Sequence, residues 1–294
     1  MHALHDDADI DRMTNEEIVA ICDYAPRLSI PSPLEGMPAP VAQLSPTRLI
    51  KIQLYTYLPE WEFRTMELVR SQTRIPVPKP HRYFIEDSRA YLLMDFIEGR
   101  TLETCWSQMW FWQKAWVTWT LRGYVQQLRR IRTEQQSSEI PGPLIDDLAS
   151  PELCYGPVMG EYHIGPFSSK GEMADWFNGR LRTSEDFYHF KLGYGFDDKA
   201  PLVMTHGDLA MRNVIVGTDG RLWLIDWGCS GVYPQWFEYV GMQMDNEPRS
   251  WTWTRRLVAG WYYTQERFIG AVYWALTIGR FLVSPPVKNP PCVS

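Results

Sequence analysis

The segment Val203-Met-Thr-His-Gly-Asp-Leu-Ala-Met-Arg-Asn-Val-Ile-Val216, with Leu222-Trp-Leu-Ile-Asp-Trp-Gly228 one turn later, constrains this chain more than any other. Short apolar runs there end in polar side chains able to do chemistry: Asp208, Asn213 five residues on, and Asp226 after the next run. Runs of this length and composition read as a strand at 201–205 and a hairpin of strands at 213–217 and 221–226, joined by Thr218-Asp-Gly220. The three polar residues then converge from strand ends, as one carboxylate base and two oxygen ligands. Mg²⁺ takes hard oxygen ligands of this kind and completes its shell with water and phosphate oxygens. Phosphoryl transfer uses that set: one Asp accepts the hydroxyl proton, while an Asn and a second Asp hold metal on the nucleotide.

Upstream, Arg48-Leu-Ile-Lys-Ile-Gln53 reads as a strand. Glu60–Thr73 reads as a helix with Trp61, Met66 and Val69 near one face, stopped by Ile75-Pro-Val-Pro-Lys-Pro80. Strands at 81–86 and 89–95 flank an Asp87-Ser88 turn. Asn15–Tyr24 is a short helix for which Thr14 and Glu17 offer a capping box, and Pro26, Pro31, Pro33, Pro38 and Pro40 forbid a long helix after it. From Thr101 the signal turns helical. Trp106, Trp110, Trp112, Trp116, Trp119 and Tyr124 recur mostly at helical spacing across 102–131, as a helix pair or one interrupted helix. A loop rich in Ser, Pro and Gly at 133–171, helices at 172–181 and 184–192, and a helical remainder complete the chain, with no internal repeat. The fold class is therefore α+β: an N-terminal sheet lobe over 1–95 (1–25 a leading helix and tail), a connector at 96–100, and a mainly helical lobe over 101–294.

Composition narrows the partners. At 294 residues with 45% hydrophobic content the chain can bury two cores. A net charge of −6 argues against a nonspecific DNA-binding surface, though it leaves room for a local basic groove, and no nucleic-acid partner is expected. Cys22, Cys105, Cys154, Cys229 and Cys292 are scattered and form no Cys-x-x-Cys pair, which argues against disulfides and zinc and for a reducing, cytoplasmic setting. Met1–Arg12 lacks the apolar core of a secretory signal. The apolar stretch Phe268–Val283 is broken by Gly270, Gly279 and Arg280 and falls short of the ~20 residues of a spanning helix. It reads as a buried helix, and no membrane partner is expected.

Residues His206-Gly-Asp208, Asn213 and Ile225-Asp-Trp227 resemble the signature of the aminoglycoside phosphotransferase and choline kinase family, which has the protein-kinase-like fold. The likeness is closest to the fungal branch of that family. Thr73-Arg-Ile-Pro-Val-Pro78, Leu92-Leu-Met-Asp-Phe-Ile-Glu-Gly-Arg-Thr-Leu102, Gln127-Leu-Arg129, Gly165-Pro-Phe167 and Tyr233-Pro-Gln-Trp-Phe-Glu-Tyr239 occur in family order. The resemblance implies a bilobal kinase-like fold, with ATP and Mg²⁺ as cofactors and a small-molecule hydroxyl as acceptor. It implies Asp208 as catalytic base, Asn213 and Asp226 as Mg²⁺ ligands, and Lys51 as the lysine reaching the nucleotide phosphates. Glu62 is the implied partner of Lys51, preferred over Glu60 and Glu67 by its spacing from Met66. Adenine would lie against the connector after Met94, bonded to the backbone of Asp95 and Ile97. Read without the family, Lys51 is equally a strand lysine snorkelling outward, and Asp208 a turn or capping aspartate. His206 is assigned to structure. Arg212 has three open roles: pairing with Asp208, binding substrate phosphate, or facing solvent.

Three features depart from the family pattern. Residues 30–48, where a Gly-rich phosphate loop belongs, offer only Gly36 among prolines. Gly228 replaces a usual Glu, and Met211 a common Pro. His206-Gly-Asp208 also lacks the arginine that protein kinases place before the catalytic Asp, so control by activation-loop phosphorylation is not expected. The leading reading is an ATP- and Mg²⁺-dependent phosphotransferase acting on a small alcohol. The alternative is a pseudokinase-like binding module, and a protein kinase ranks third because no Ala-Pro-Glu motif follows Asp226. For the acceptor site, Trp106–Trp119, Trp236, Trp251, Trp253, Trp261 and Trp274 are either a cation-attracting pocket or core packing, with packing favoured. Asp245, Glu247 and Glu266 read as amine ligands or, preferably, as solvated surface.

Overall fold

The computed structural model describes residues 5–22, 24–26, 41–54, 60–160, 162–243 and 248–282. In chain order the first helices are α1 (Asp7–Arg12) and α2 (Asn15–Cys22), followed by strands β1 (Val41–Gln43) and β2 (Arg48–Leu54), helix α3 (Glu60–Gln72), and strands β3 (Pro80–Glu86), β4 (Arg89–Asp95) and β5 (Gly99–Thr101). Helices α4 (Leu102–Cys105), α5 (Phe111–Leu128), α6 (Glu134–Ser137) and α7 (Lys170–Tyr188) lead to strands β6 (Leu202–Thr205), β7 (Val214–Gly217), β8 (Leu222–Leu224) and β9 (Gly231–Pro234). Helices α8 (Phe237–Gly241), α9 (Arg249–Val258) and α10 (Tyr263–Leu276) follow. Two compact units result: residues 1–131 with 208–230, and residues 132–207 with 231–294.

In the first unit an antiparallel sheet runs in the order β1-β2-β4-β3. Side chains alternate along a strand, so the Ile50 and Ile52 side chains, on one face of β2, leave Lys51 on the other. Ile50 and Ile52 join Phe84, Tyr91 and Leu93 in a cluster that also takes Ile10, Ile18 and Cys22 from α1 and α2. The N-terminal arm is thus part of the sheet's core. It is pinned by the Thr14–Glu17 capping box (2.8 and 3.3 Å) and by Asp7, whose carboxylate accepts bonds from the hydroxyls of Ser45 and Thr47. Those bonds hold the Asp7 carboxyl below its ordinary value. Ile18 has no exposed surface; truncating it to Ala should cost about 2–5 kcal/mol, read as a lowered urea midpoint with an unchanged slope. Asp87 and Ser88 both take positive φ (46° and 63°), as a two-residue type I′ hairpin between β3 and β4 requires.

A second sheet in this unit has the order β5-β7-β8. Gly99 is required where β5 meets β7, because a Cβ there would stand 2.3 Å from the Val216 carbonyl oxygen. The Tyr124 hydroxyl on α5 donates to Leu222 O (3.0 Å), and Leu224 N donates to Pro76 O (2.9 Å), which fixes the β7–β8 hairpin in place.

In the other unit β6 pairs antiparallel with β9. Its core is aromatic: Phe177 of α7, Phe196, Trp236, Phe237 and Phe268 of α10 meet ring to ring, with centroids 4.4–6.4 Å apart. The buried helix expected at 268–283 holds only as far as Leu276, where α10 ends with Phe268, Ile269, Val272, Ala275 and Leu276 inside; Ile278–Leu282 form a 3₁₀ segment with Ile278, Phe281 and Leu282 exposed, and Val283 lies outside the described residues. Among the described residues no helix is long and apolar enough to cross a membrane.

Several expected boundaries move. The two helices at 172–181 and 184–192 are one helix, α7, because Ser184 is fully buried against the core instead of breaking the helix; it ends at His189 in the left-handed region. The aromatic run at 102–131 is interrupted, with α4, a single 3₁₀ turn at Trp106–Gln108 and α5. Asn213 closes a 3₁₀ turn before β7 instead of opening the strand, and Asp226 stands two residues beyond the end of β8. Strands β1, β5 and β9 and helix α1 are too short for periodicity to announce. Pro31–Pro40, Gly36, Asp245, Glu247 and Cys292 lie outside the described residues.

Candidate active site

Strand β2 carries Lys51 toward α3, and the first turn of α3 presents Glu62. The Lys51 ammonium donates to both oxygens of Glu62 (3.0 Å each) and to Asp226 Oδ1 (2.7 Å). Glu62 is 1% exposed, so its charge depends on that partner. Burial opposes the charged form of Lys51, yet Asp226 and Glu62 outweigh it and hold the lysine firmly protonated. Of the other acids on α3, Glu60 pairs with Arg64 (3.0 Å) and Glu67 is exposed.

Asp226 sits at φ 64°, a left-handed conformation that a non-glycine residue adopts at a cost of about 1–3 kcal/mol. The chain on either side holds it there. The Trp61 indole donates to Gly228 O (3.0 Å), the Trp227 indole to Leu224 O (3.2 Å), and Ser230 Oγ to Trp227 O (2.5 Å). The Trp227 backbone N–H donates to Glu62. Gly228 has its own reason: a Cβ there would lie 3.3 Å from Glu62 Oε2, pressing on the buried carboxylate.

Asp208 is 7% exposed and held from two sides. Asn213 Nδ2 donates to Asp208 Oδ2 (2.8 Å) and to Asp208 O (2.9 Å), while Arg212 Nη2 reaches both carboxylate oxygens (2.8 and 2.7 Å). Because the Asn213 amide nitrogen faces Asp208, its oxygen faces away and is left to accept. Of the three roles open to Arg212, pairing with Asp208 is the one observed. His206 has no exposed surface and its N–H donates to Glu238 (2.7 Å), as a structural residue should. The thiol of Cys229 lies within electrostatic reach of Asp208, Asp226, Lys51 and Glu62. Burial first, then the charges of Asp208 and Asp226, push it well above its ordinary value. The same four neighbours show that the two halves of the constellation converge.

Asp95 ends β4, with its side chain taken by His81 Nε2 (2.7 Å), Lys79 N (3.2 Å) and Arg48 Nη1 (3.4 Å), and Ile97 lies in the link before β5. The tryptophans divide. Trp106, Trp227, Trp236 and Trp251 are buried and Trp274 stacks on Phe187 (4.1 Å), whereas Trp110, Trp112, Trp116, Trp119, Trp253 and Trp261 are exposed. Glu266 is not the solvated acid expected: it bonds Arg255 (2.8 Å) and the Tyr239 hydroxyl (2.9 Å). Sequence reasoning missed Trp61 as a strut for Gly228, and only its position beside Glu62 hinted at it.

The sequence profile of the phosphotransferase enzyme family matches residues 172–277, which include Asp208, Asn213 and Asp226. No curated protein sequence matches the chain. Solved structures match over most of its length. The APH(2")-IIa ternary complex with streptomycin and ATP has 13% identity and a TM-score of 0.55, over 93% of this chain and 90% of that one. The ADP-bound aminoglycoside phosphotransferase APH(2'')-Ib has 13% identity and a TM-score of 0.51, over 97% and 93%. Aminoglycoside-3'-phosphotransferase of type VIII has 14% identity and a TM-score of 0.50, over 88% and 97%. At these identities the structures speak for the fold, an α+β protein-kinase-like one, while the profile speaks for the family. Residues 172–277 thus resemble the phosphotransferase enzyme family, and the chain as a whole has the protein-kinase-like fold of these structures.

Proposed function

We propose that the protein transfers the γ-phosphoryl group of ATP to a hydroxyl of a small molecule. The carrying observation is the pairing of Lys51 with a buried Glu62 and a conformationally strained Asp226, beside an Asp208 oriented by both Asn213 and Arg212. Asp208 receives the acceptor's hydroxyl proton as the oxygen attacks the γ-phosphorus and ADP departs. Lys51 offers its charge to the α and β phosphates, and the backbone of Asp95 and Ile97 offers adenine its edge contacts. Catalysis here is positioning and charge stabilisation more than covalent chemistry.

The donor set suits Mg²⁺. Among the described residues no group of three His, Cys, Asp or Glu side chains could hold a metal alone. That fits an ion which keeps its water and takes phosphate oxygens beside one or two protein ligands. Asn213 Oδ1 and the Asp226 carboxylate, 46% exposed, are those ligands. When bound, the ion neutralises charge on the β and γ phosphates. Within the family we place the chain nearest the fungal branch, on the segments quoted above, and in the cytoplasm.

One observation favours a second reading, a pseudokinase-like module that binds nucleotide or metabolite without transfer: the glycine-poor stretch 30–48. Thermal-shift titration with ATP, with and without Mg²⁺, tests both readings. A nucleotide at a hundred times its Kd adds about 2.7 kcal/mol, a rise in Tm of roughly 5 °C or more for a chain of this size. No shift under either condition would count heavily against the kinase reading and leave a module that binds metabolite alone. A shift without any one-phosphate mass gain across a metabolite screen would favour the binding module.

A further inference from the structure

The N-terminal end of α5 presents aromatic rings to solvent where packing would normally take them. Trp110, Phe111, Trp112, Trp116 and Trp119 are 65, 78, 54, 44 and 75% exposed. Trp112, Trp116 and Trp119 follow each other at four and three residues along one helix face. The Trp110 and Trp112 rings stack at 5.2 Å and Phe111 meets Trp112 edge-on, so the tip is pre-ordered. Large aromatics bury some 150–250 Å² each, which puts the exposed aromatic surface on the order of 600 Å², at or above the largest patch of an ordinary monomer.

The charge around this face identifies what covers it. Residues 104–133 contain five Lys and Arg and no Asp or Glu, in a chain whose net charge is −6. Lys114 and Arg122 flank the stripe, with Arg122 over the Trp119 ring at 6.0 Å and Lys114 over that of Trp106 at 5.3 Å. The positive end of the helix dipole lies at the same tip. Two copies of such a face would repel, and none of the five aromatics lines the cavity between Ser71–Arg74 and Gln127, Arg130 and Ile131, or that beside Asp175 and Tyr194. Tryptophan with flanking cations and no acids is the composition that settles at a headgroup layer, with the rings at the acyl boundary and the cations on anionic lipid.

We propose that this face of α5 docks the protein peripherally on an anionic bilayer surface. The expectation of no membrane partner rested on the lack of a spanning segment; a surface contact needs none. Co-sedimentation with phosphatidylcholine vesicles, with and without ~30% phosphatidylserine, tests it. The full chain should pellet with the anionic vesicles and be released by salt. Trp112→Ala/Trp116→Ala/Trp119→Ala and Lys114→Glu/Arg122→Glu should each lower the partition coefficient by about tenfold or more. Brominated phospholipid should quench the tryptophan emission of the unaltered protein, a readout independent of how the variants fold. Absence of that quenching, equal binding to neutral vesicles, or a concentration-dependent dimer abolished by the tryptophan variant without vesicle binding would each overturn the proposal.

Discussion

Asp208→Asn should lower turnover by roughly 10³-fold or more, within or above the usual contribution of a general base, while ATP still raises Tm as it does for the wild type. The substitution keeps the shape, turns one of the two acceptor oxygens into a donor, and removes the proton acceptor. Asn213 loses one charged acceptor and keeps the Asp208 backbone oxygen (2.9 Å). Arg212, 41% exposed, is rehydrated when its anionic partner goes, so the fold should survive with a melting change within about 1 kcal/mol, as for other partly exposed ion pairs. The measurement is single-turnover transfer beside a nucleotide titration. Wild-type turnover in the variant would remove Asp208 from the role of base, and loss of nucleotide binding would show that it positions ATP.

Lys51→Met should be the most damaging single change to stability among the site residues. It leaves Glu62 buried beside Asp226 with no cation, and stranding a buried charge costs about 3–5 kcal/mol. Burial and the Asp226 charge already push the Glu62 carboxyl upward, opposed by Lys51. Without the lysine its folded value rises further above the unfolded one near 4.3. A raised folded value means the stability is present below the unfolded value and is lost as pH climbs through the folded one. The variant should therefore be relatively more stable in mild acid than at neutral pH, measured as urea midpoints across that range. Lys51→Met/Glu62→Leu should recover much of the loss, because both buried charges go together. A double variant no more stable than the single one would show that Glu62 is not the source of the penalty.

What the sequence made legible follows from what local chemistry can encode. Lys51 and Glu62 came from the family resemblance, since strand alternation alone leaves Lys51 equally a snorkelling lysine and the helix of Glu62 also carries Glu60 and Glu67. Asp208, Asn213 and Asp226 were ordered by a motif whose spacing is short-range. The clasp of Arg212 on Asp208 was named among three roles but not chosen, since an i,i+4 pair needs the 3₁₀ turn between them, which no periodicity reports. The strut from Trp61 to Gly228 spans 167 residues and has no local signature. The N-terminal arm went unread as core because α1 offers one apolar side chain, Ile10, in a polar segment. The tryptophans were the hardest, because helical spacing is shared by a ring in the core, such as Trp251, and a ring in water, such as Trp119.

The first compact unit is broken in sequence, with its last strands, β7 and β8, supplied after 76 residues that belong to the other unit. During synthesis Lys51 and Glu62 leave the ribosome long before Asp226, which lies 175 residues beyond the lysine. At ~5–20 residues per second that interval is about 10–35 s. For most of it β5 has no β7 to pair with, and throughout it the lysine has Glu62 but not Asp226. The charge triangle that defines the site is thus the last part of its unit to close, and a nascent chain stalled before residue 208 carries the sheet and α3 without Asp208, Asn213 or Asp226.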